Sequence, residues 1–538
     1  MTIVTPRGDF AVSIAERSPR QHAGATPKPN IGTSVQRGGS TSNLFVMRPR
    51  TSVIAVLHGS SSAIGSASSS AGKTSVRHHN RIMRDSFRIE RDTMGDMQVP
   101  ASALYGPQTA RAVQNFPISG KRSPRSFIRA VGIIKSAAAT TNGRMGHLPP
   151  ALAAAIEAAA EQVVEGRYDN EFPIDIFQTG SGTSTNMNAN EVIGHLAGAH
   201  PNDHVNRGQS SNDVIPTAMH IAVAECLAAR LLPAMRQLGA SLERKAVEFH
   251  DIIKIGRTHL QDAVPIRMGQ EFSGYARQVE AARERIEAAL PGIYELPLGG
   301  TAVGTGLNAP PGFARGAIAE IVRRTGLRFV EAQNHFEAQA AGDAACFLSG
   351  ALRTYAVALT KIANDIRWLG SGPRCGLGEL KLPAVQPGSS IMPGKVNPVI
   401  AESLLMVCAQ VIGYDSVIVW CSAAGNFELN VMMPVMALDL LDAIELLAAG
   451  TSNFAEKLVD GLEADQSRAE GFVEQSVAMG TALTGEIGYE EAAVLAKEAY
   501  ATGRTIRDVA REKSGIPEER LNSLLNPQSQ VGEQAEKG

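Results

Sequence analysis

Cysteine is scarce in this chain. Five occur in 538 residues (Cys226, Cys346, Cys375, Cys408 and Cys421), an odd number, widely spaced and without a CxxC pair. That spacing argues against a disulfide framework or a zinc site and predicts reduced thiols in a reducing compartment. It also supplies no run of three or four neighbouring thiolates for an iron–sulfur cluster. An excess of charge is missing too, with Lys+Arg 51 against Asp+Glu 53 and a formal net charge of −2. A nucleic-acid binder carries a marked basic excess, so that class is excluded, while a local basic pocket for a small anion is not. Long hydrophobic runs are the third absence. Leu404–Tyr414 is bounded by Glu402 and Asp415, and the uncharged stretch Thr51–Gly72 is mostly Ser, Gly and Ala. A membrane span needs about 20 predominantly apolar residues, so none is expected.

What the chain does contain is helix-forming sequence in long stretches. Its length predicts two to four domains, and 44% hydrophobic residues suffice for a sizeable core. Residues 1–82 stand apart, rich in Ser, Gly, Arg and Thr, with Asp9 and Glu16 as their only acids. Such a composition buries little apolar surface and predicts disorder. It has the basic, Ser-rich, acid-poor character of a transit peptide. The favoured alternative is an extension upstream of a start at Met83, since no amphipathic Arg-bearing helix is evident near the N-terminus. The localisation expected is therefore cytoplasmic, or mitochondrial if the segment is a transit peptide. Ala71–Thr74 (AGKT) is not a phosphate loop, because Ala67 stands where the first glycine is needed.

From Asp85 the character changes. Turn signals run through Leu104–Pro107 with few periodic elements. Helical patterns then cover Ala151–Arg167, His220–His250, Gln270–Leu290, His335–Leu369, Pro398–Ala424 and Val431–Leu462, with smaller ones at Gly485–Tyr500 and Thr505–Ser514. As a single helix His335–Leu369 would be about 50 Å long. Several helices of this length predict a bundle. Ala338, Ala340, Ala341, Ala344, Ala345 and Gly350 predict close helix–helix approach, including between chains.

Five loop-like stretches collect polar side chains: Thr179–Thr183 with Asn186–Asn188, His200–Asp203, Gln209–Asp213, Gly256–Asp262 and Gly388–Pro398. If they converge, Thr183, Ser210, Ser211, Asn212, Thr258 and Asn397 supply neutral donors and Lys395 a cation. A small dianion needs such a set, because buried charge must be hydrogen-bonded and paired. Loops entering helices at Ser211 and Pro398 would add positive helix ends. Taken singly, each has a plainer role. Ser, Thr or Asn before a helix is a cap, a lone lysine is solvated surface, and a lone His259 is structural. Gly299–Gly306 has the wrong spacing for a dinucleotide loop, and Pro201 spoils a helical zinc pair at His200 and His204.

Gly388–Pro398 (GSSIMPGKVNP) resembles, residue for residue, the GSSxMPxKxNP signature of the fumarase/aspartase superfamily. GSGTSTNMNANEV, HPNDHVN, QSSNDVIPTAMH, GRTHLQDAVP, LGGTAVGTGLN and GPRCGLGE resemble class II fumarase blocks, in that family's order. The resemblance implies a mainly α, three-domain subunit with a central long-helix bundle: an N-terminal lyase domain at 83–209, the bundle at 210–466 and a small helical domain at 467–538. It implies reversible hydration of fumarate to (S)-malate, no metal or organic cofactor, and a homotetramer whose active sites take loops from three chains.

By the same resemblance Ser389 matches the catalytic base, His259 the group that handles the water, and Glu402 the acidic partner of that histidine. Thr183, Ser210, Ser211, Asn212, Thr258, Lys395 and Asn397 match carboxylate-binding positions, with Ser181 and Ser390 as neighbours. His200, Asn202 and Asp203 match a second dicarboxylate site. Between Glu191 and His200 the chain is about ten residues shorter than the family pattern, which removes a basic residue that often precedes this block. Thr185 stands where several relatives have Ser. The rival is aspartate ammonia-lyase, which is opposed by His259, where those enzymes resemble Gln, and by Gly394, where they resemble Ala. A catalytically silent homologue would be expected to have lost the serine, lysine or histidine.

Overall fold

Small and apolar residues fill the stretches between the polar loops. In the computed structural model of the protein, which describes residues 86–532, those stretches are helices. A short antiparallel hairpin comes first, β1 (Phe87–Asp92) on β2 (Gly95–Pro100), with Asp92 opposite Gly95 at the turn. Four helices follow: α1 (Pro107–Asn115), α2 (Arg125–Arg144), α3 (Pro150–Val164) and α4 (Thr183–Ala197). Next come α5 (Ser211–Cys226) and α6 (Leu232–Glu248), then a second antiparallel hairpin, β3 (Ile253–Thr258) on β4 (Gln261–Arg267). The long helices are α7 (Met268–Tyr294), α10 (Asp343–Leu369), α11 (Val399–Ser422) and α12 (Met433–Phe454), with α8 (Phe313–Thr325) and α9 (His335–Ala340) between the first two. Shorter helices complete the chain: α13 (Gln466–Gln475), α14 (Thr484–Ile487), α15 (Tyr489–Thr502), α16 (Ile506–Lys513) and α17 (Glu518–Leu524).

Apolar spacing explains the bundle. In α10 the buried residues Leu348, Leu352, Tyr355, Leu359, Ile362, Ile366 and Leu369 recur every three or four positions, one stripe of a helix. Each such side chain stabilises by about 1.5–3 kcal/mol when taken out of water. α10 lays its stripe against α7 and α11, α11 packs on α12, and α6 packs on α7 and α12. The Tyr355 hydroxyl enters this core and is satisfied by Thr451 Oγ1 at 3.0 Å. A second core joins Ile253 and Ile255 of β3 to Val473, Leu495, Val509 and Leu521 of the C-terminal helices, which anchors the base of the second hairpin. α5 and α6 form one rod, Ser211–Glu248, widened by a π-turn at Leu227–Leu231. Pro233 has no N–H for the carbonyl four residues back, so the helix loosens there.

Several sequence expectations are corrected. His335–Leu369 is two helices, because Ala341 is extended and Gly342 sits where a Cβ would lie 2.8 Å from the Ser422 backbone. Gly256–Asp262 is not a loop but the end of a strand pair, anchored at its base by the buried Ile253 and Ile255. The opening segment up to Pro107, read as poor in regular structure, carries β1 and β2. Against the expectation of none, Ser211–Glu248 and Val399–Ser422 are long and apolar enough to cross a membrane, with mean hydropathy 1.4 and 1.8. Glu402 and Asp415 are too few to lower the second value, and Asp415 is paired with Arg353 and Ser349, each at 2.7 Å. The first stretch is mostly buried inside the bundle. The readings made of residues 1–82 lie outside the described residues.

Candidate active site

Two helix N-termini meet at one end of the bundle. Gly182 starts α4 with φ 70°, and a Cβ there would lie 2.9 Å from Ile215 of α5, so only glycine permits both the left-handed turn and the close approach. Ser181 Oγ and Thr183 Oγ1 sit 2.9 Å apart in this turn. Ser210 caps α5: its hydroxyl accepts from Asn212 N at 3.3 Å, while Asp213 Oδ1 accepts from Ser210 N at 2.9 Å. Asp213 is fully buried, and burial raises its carboxyl; three backbone N–H groups, of Ser210, Gly299 and Thr301, act in the opposite direction. These bonds fix the α5 start against the turn after α7, where Asn212 Nδ2 also donates to Ala302 O at 2.7 Å. Asn186 of α4 donates to Ser211 Oγ at 3.0 Å. Hydroxyls and amides thus gather where two helix dipoles present positive ends, a setting suited to a carboxylate.

At the other end of the bundle stands the tip of the second hairpin. His259 and Leu260 both have positive φ, 56° and 60°, so the two-residue turn matches strand twist but is unusual for residues other than glycine or asparagine. Thr258 and His259 are exposed there. Directly behind them Arg257 donates to Glu379 through two bonds, 2.7 and 3.1 Å, and Glu379 has no solvent exposure. Glu379 N in turn donates to Leu369 O, so the hairpin is tied to the C-terminal end of α10.

The loop Gly388–Pro398 lies at that same end, where its second half faces Arg367, Trp368 and Gly370 across a shared cleft. It is closed on itself: Gly388 N donates to Lys395 O, and Asn397 Nδ2 donates to Gly388 O, both at 2.8 Å. A Cβ on residue 388 would meet Lys395 O at 2.5 Å, so the closure requires glycine. Inside the loop Ser389 Oγ accepts from Ile391 N at 3.2 Å and Met392 N at 3.0 Å. Two backbone donors aimed at one hydroxyl oxygen favour its anion. Lys395 Nζ binds Asn397 Oδ1, and Ser390 and Lys395 are exposed. Glu402 lies exposed in the first turn of α11.

Within one chain the structure therefore brings Ser181, Thr183, Ser210, Ser211 and Asn212 together, and separately places Thr258 and His259 near one end of α10 with Ser389, Ser390, Lys395, Asn397 and Glu402. Gln339, just before α10, donates to Thr301 O at 2.8 Å and so marks the first group at the opposite end of that helix. α10 has 27 residues, about 40 Å at 1.5 Å per residue. Among the described residues no hydrogen bond joins His259 to Glu402 within the chain. His200, Asn202 and Asp203 lie beyond the far end of α4, where His200 Nδ1 accepts from Asp203 N at 3.1 Å. His200 and Asn202 border an open cleft of about 1020 Å3 with Arg88, Asp92 and His195. Two buried charges under the first group, Lys135 and Asp213, were missed by sequence reasoning. The available signal was a lone lysine inside the apolar run Ala130–Ala139.

Comparison with known proteins shows the family. Residues 95–413 match the Lyase family and residues 480–531 the Fumarase C C-terminus family. Class II fumarate hydratase of Mycobacterium tuberculosis is 53% identical over 442 residues, covering 81% of this chain and 93% of that protein. The crystal structure of class II fumarase from Schistosoma mansoni superposes with a TM-score of 0.81 at 41% identity, covering 82% of this chain and 99% of that one. A fumarate lyase:delta crystallin structure from Brucella melitensis gives 0.79 at 43% identity, covering 82% and 99%. With this sequence identity spanning nearly the whole length of its relatives, the chain belongs to the class II fumarate hydratase family of lyases, which interconvert fumarate and malate.

Proposed function

We propose that the active form is a homotetramer in which each site combines the 181–183 and 210–212 groups of one chain with the 389–397 loop and the 258–259 hairpin tip of others. The observation that carries this reading is the placement of these groups at opposite ends of α10. The surface of the bundle supports it. α11 leaves Met406 68% and Trp420 77% exposed, and α10 leaves Phe347 62% exposed, on helices whose other faces are buried. Apolar area of this kind marks an interface. Ser403, Gln410 and Ser416 share the exposed side of α11, which suits a protein partner better than lipid.

The chemistry follows from the groups present. Elimination of water from malate removes a C3 proton and expels the C2 hydroxyl. Ser389, as alkoxide held by Ile391 N and Met392 N, takes the proton, and Lys395 adds positive charge at the same loop. Charge then builds on the adjoining carboxylate, where Thr183, Ser210, Ser211, Asn212 and the helix ends offer donors. His259, oriented by Glu402 from another chain, protonates the departing hydroxyl, and in the hydration direction it takes the proton from water. Thr258 and Asn397 complete the hydrogen bonds to the substrate, with Ser181 and Ser390 supporting them. We assign His200, Asn202 and Asp203 to a separate dicarboxylate-binding group, of which His200 and Asn202 border the open cleft.

Ser389→Ala should lower turnover by roughly 10²–10⁴, with the assembly unchanged at about four times the 56.8 kDa chain mass by light scattering. A fully active monomer, or near-normal turnover in Ser389→Ala, would contradict the proposal.

A further inference from the structure

Behind the hydroxyl group of the first site lies a charge that the chemistry above does not use. Lys135 sits in the middle of α2 beside Ile134 and Ser136 and is fully buried. Burial pushes its ammonium down to about 7, and Asp213 acts in the opposite direction. Nζ donates to Asn206 Oδ1 at 3.0 Å and to Gln209 Oε1 at 2.9 Å. An ammonium only donates, so both amides must turn their oxygens toward it. The neutral amine still has two protons, enough for the same two bonds.

The orientation passes outward. Asn206 Oδ1 also accepts from Asn186 Nδ2 at 3.2 Å, and that same amide nitrogen donates to Ser211 Oγ at 3.0 Å. A hydroxyl that accepts from Asn186 keeps its own proton free. With the amides reversed, Ser211 would donate inward to an oxygen and present a lone pair to an incoming carboxylate.

We infer that Lys135 is a positioning residue for substrate binding, which acts through Asn206 and Asn186 to hold Ser211 as a donor toward a substrate carboxylate. The inference rests on the reading of Ser211 as a carboxylate ligand. Filling space on α2 does not need a lysine, since an apolar side chain of similar volume packs without desolvating a charge. Asp213 does not need it either, having three backbone donors of its own.

The test is steady-state kinetics on the full-length enzyme with Lys135→Met, Asn186→Ala and the double variant. Each single variant should raise KM for fumarate roughly tenfold, about the factor of one misdirected hydrogen bond to a charged group. kcat should stay within about threefold, a split that loss of folded enzyme does not produce. The double variant should show no further rise in KM, because both changes cut one relay. An unchanged KM in either soluble variant overturns the inference, as does a double-variant KM raised roughly 100-fold, the product of independent effects. If Lys135→Met does not fold, Lys135→Gln and Asn186→Ala decide by the same criterion. Ser211→Ala separates the two levels: an unchanged KM there refutes the ligand reading. A raised KM in Ser211→Ala with normal values for Lys135 and Asn186 variants refutes only the relay.

Discussion

Mixing two inactive chains should restore activity, by an amount the geometry fixes. Asn212 is bonded to Ala302 near the start of α10, while the Ser389 loop faces residues 367–370 at its end. That helix is about 40 Å long, many times the length of a four-carbon dicarboxylate, so no chain can serve one site with both groups. Asn212→Asp places a carboxylate where the substrate carboxylate binds. Two like charges about 4 Å apart at an effective dielectric of about 20 repel by about 4 kcal/mol, close to a thousandfold in binding. Ser389→Ala removes the base. Each variant alone should therefore be nearly inactive. Co-expressed in equal amounts and assembled at random, about one half of the sites receive an intact 210–212 group and about one half an intact serine loop. Independent draws make about one quarter of the sites whole. The assay follows the ultraviolet absorbance of fumarate, with native mass spectrometry to establish mixed assemblies. Recovery of about one quarter of wild-type turnover is expected. Mixed assemblies no more active than the two parents would refute the shared site.

Two further predictions concern the scaffold. Glu379 is buried against Arg257, so Arg257→Met leaves its charge with Lys254 Nζ at 3.9 Å as the remaining partner; stability should fall by about 3 kcal/mol, the lower end for breaking a buried pair, and a urea midpoint implying under about 1 kcal/mol would contradict this. Burial, with Asp442 adding to it, raises the Asp439 carboxyl to about 6. The fold thus keeps this group protonated where the unfolded chain, titrating near 3.9, has lost the proton. Its contribution is complete below about pH 4 and is lost as pH rises through about 6. Asp439→Asn should flatten that decline in urea midpoints between these values, and identical pH profiles would show the shift to be absent.

How much of this was legible in the sequence depends on the range of the interaction. The α10 stripe is written in three- and four-residue spacings, so the helix was readable. Its break from α9 was not, because Gly342 yields to Ser422, some eighty positions later in sequence and on another helix. The β3–β4 hairpin was read as a loop since its turn residues, His259 and Leu260, are not the asparagine and glycine that announce such turns. Its strands are stabilised by residues beyond 470, which local pattern does not encode. The site motifs were readable because each is long and locally complete, and Ser210 proved to be the helix cap that its plainer reading predicted. Which end of the bundle each motif occupies is a property of packing alone. Lys135 escaped notice because its partners, Asn206 and Gln209, lie more than seventy positions away.

The most direct measurement follows fumarate absorbance with malate and with aspartate as separate substrates, for the wild type and for His259→Asn. Water is a weak nucleophile and hydroxide a poor leaving group, so hydration needs a proton-transferring side chain near neutral pKa, which histidine supplies. The wild type should turn over malate readily and aspartate negligibly, and His259→Asn should lose roughly 10²–10⁴ in hydration while still binding fumarate. Faster turnover of aspartate than of malate, or unchanged hydration in His259→Asn, would contradict the assignment.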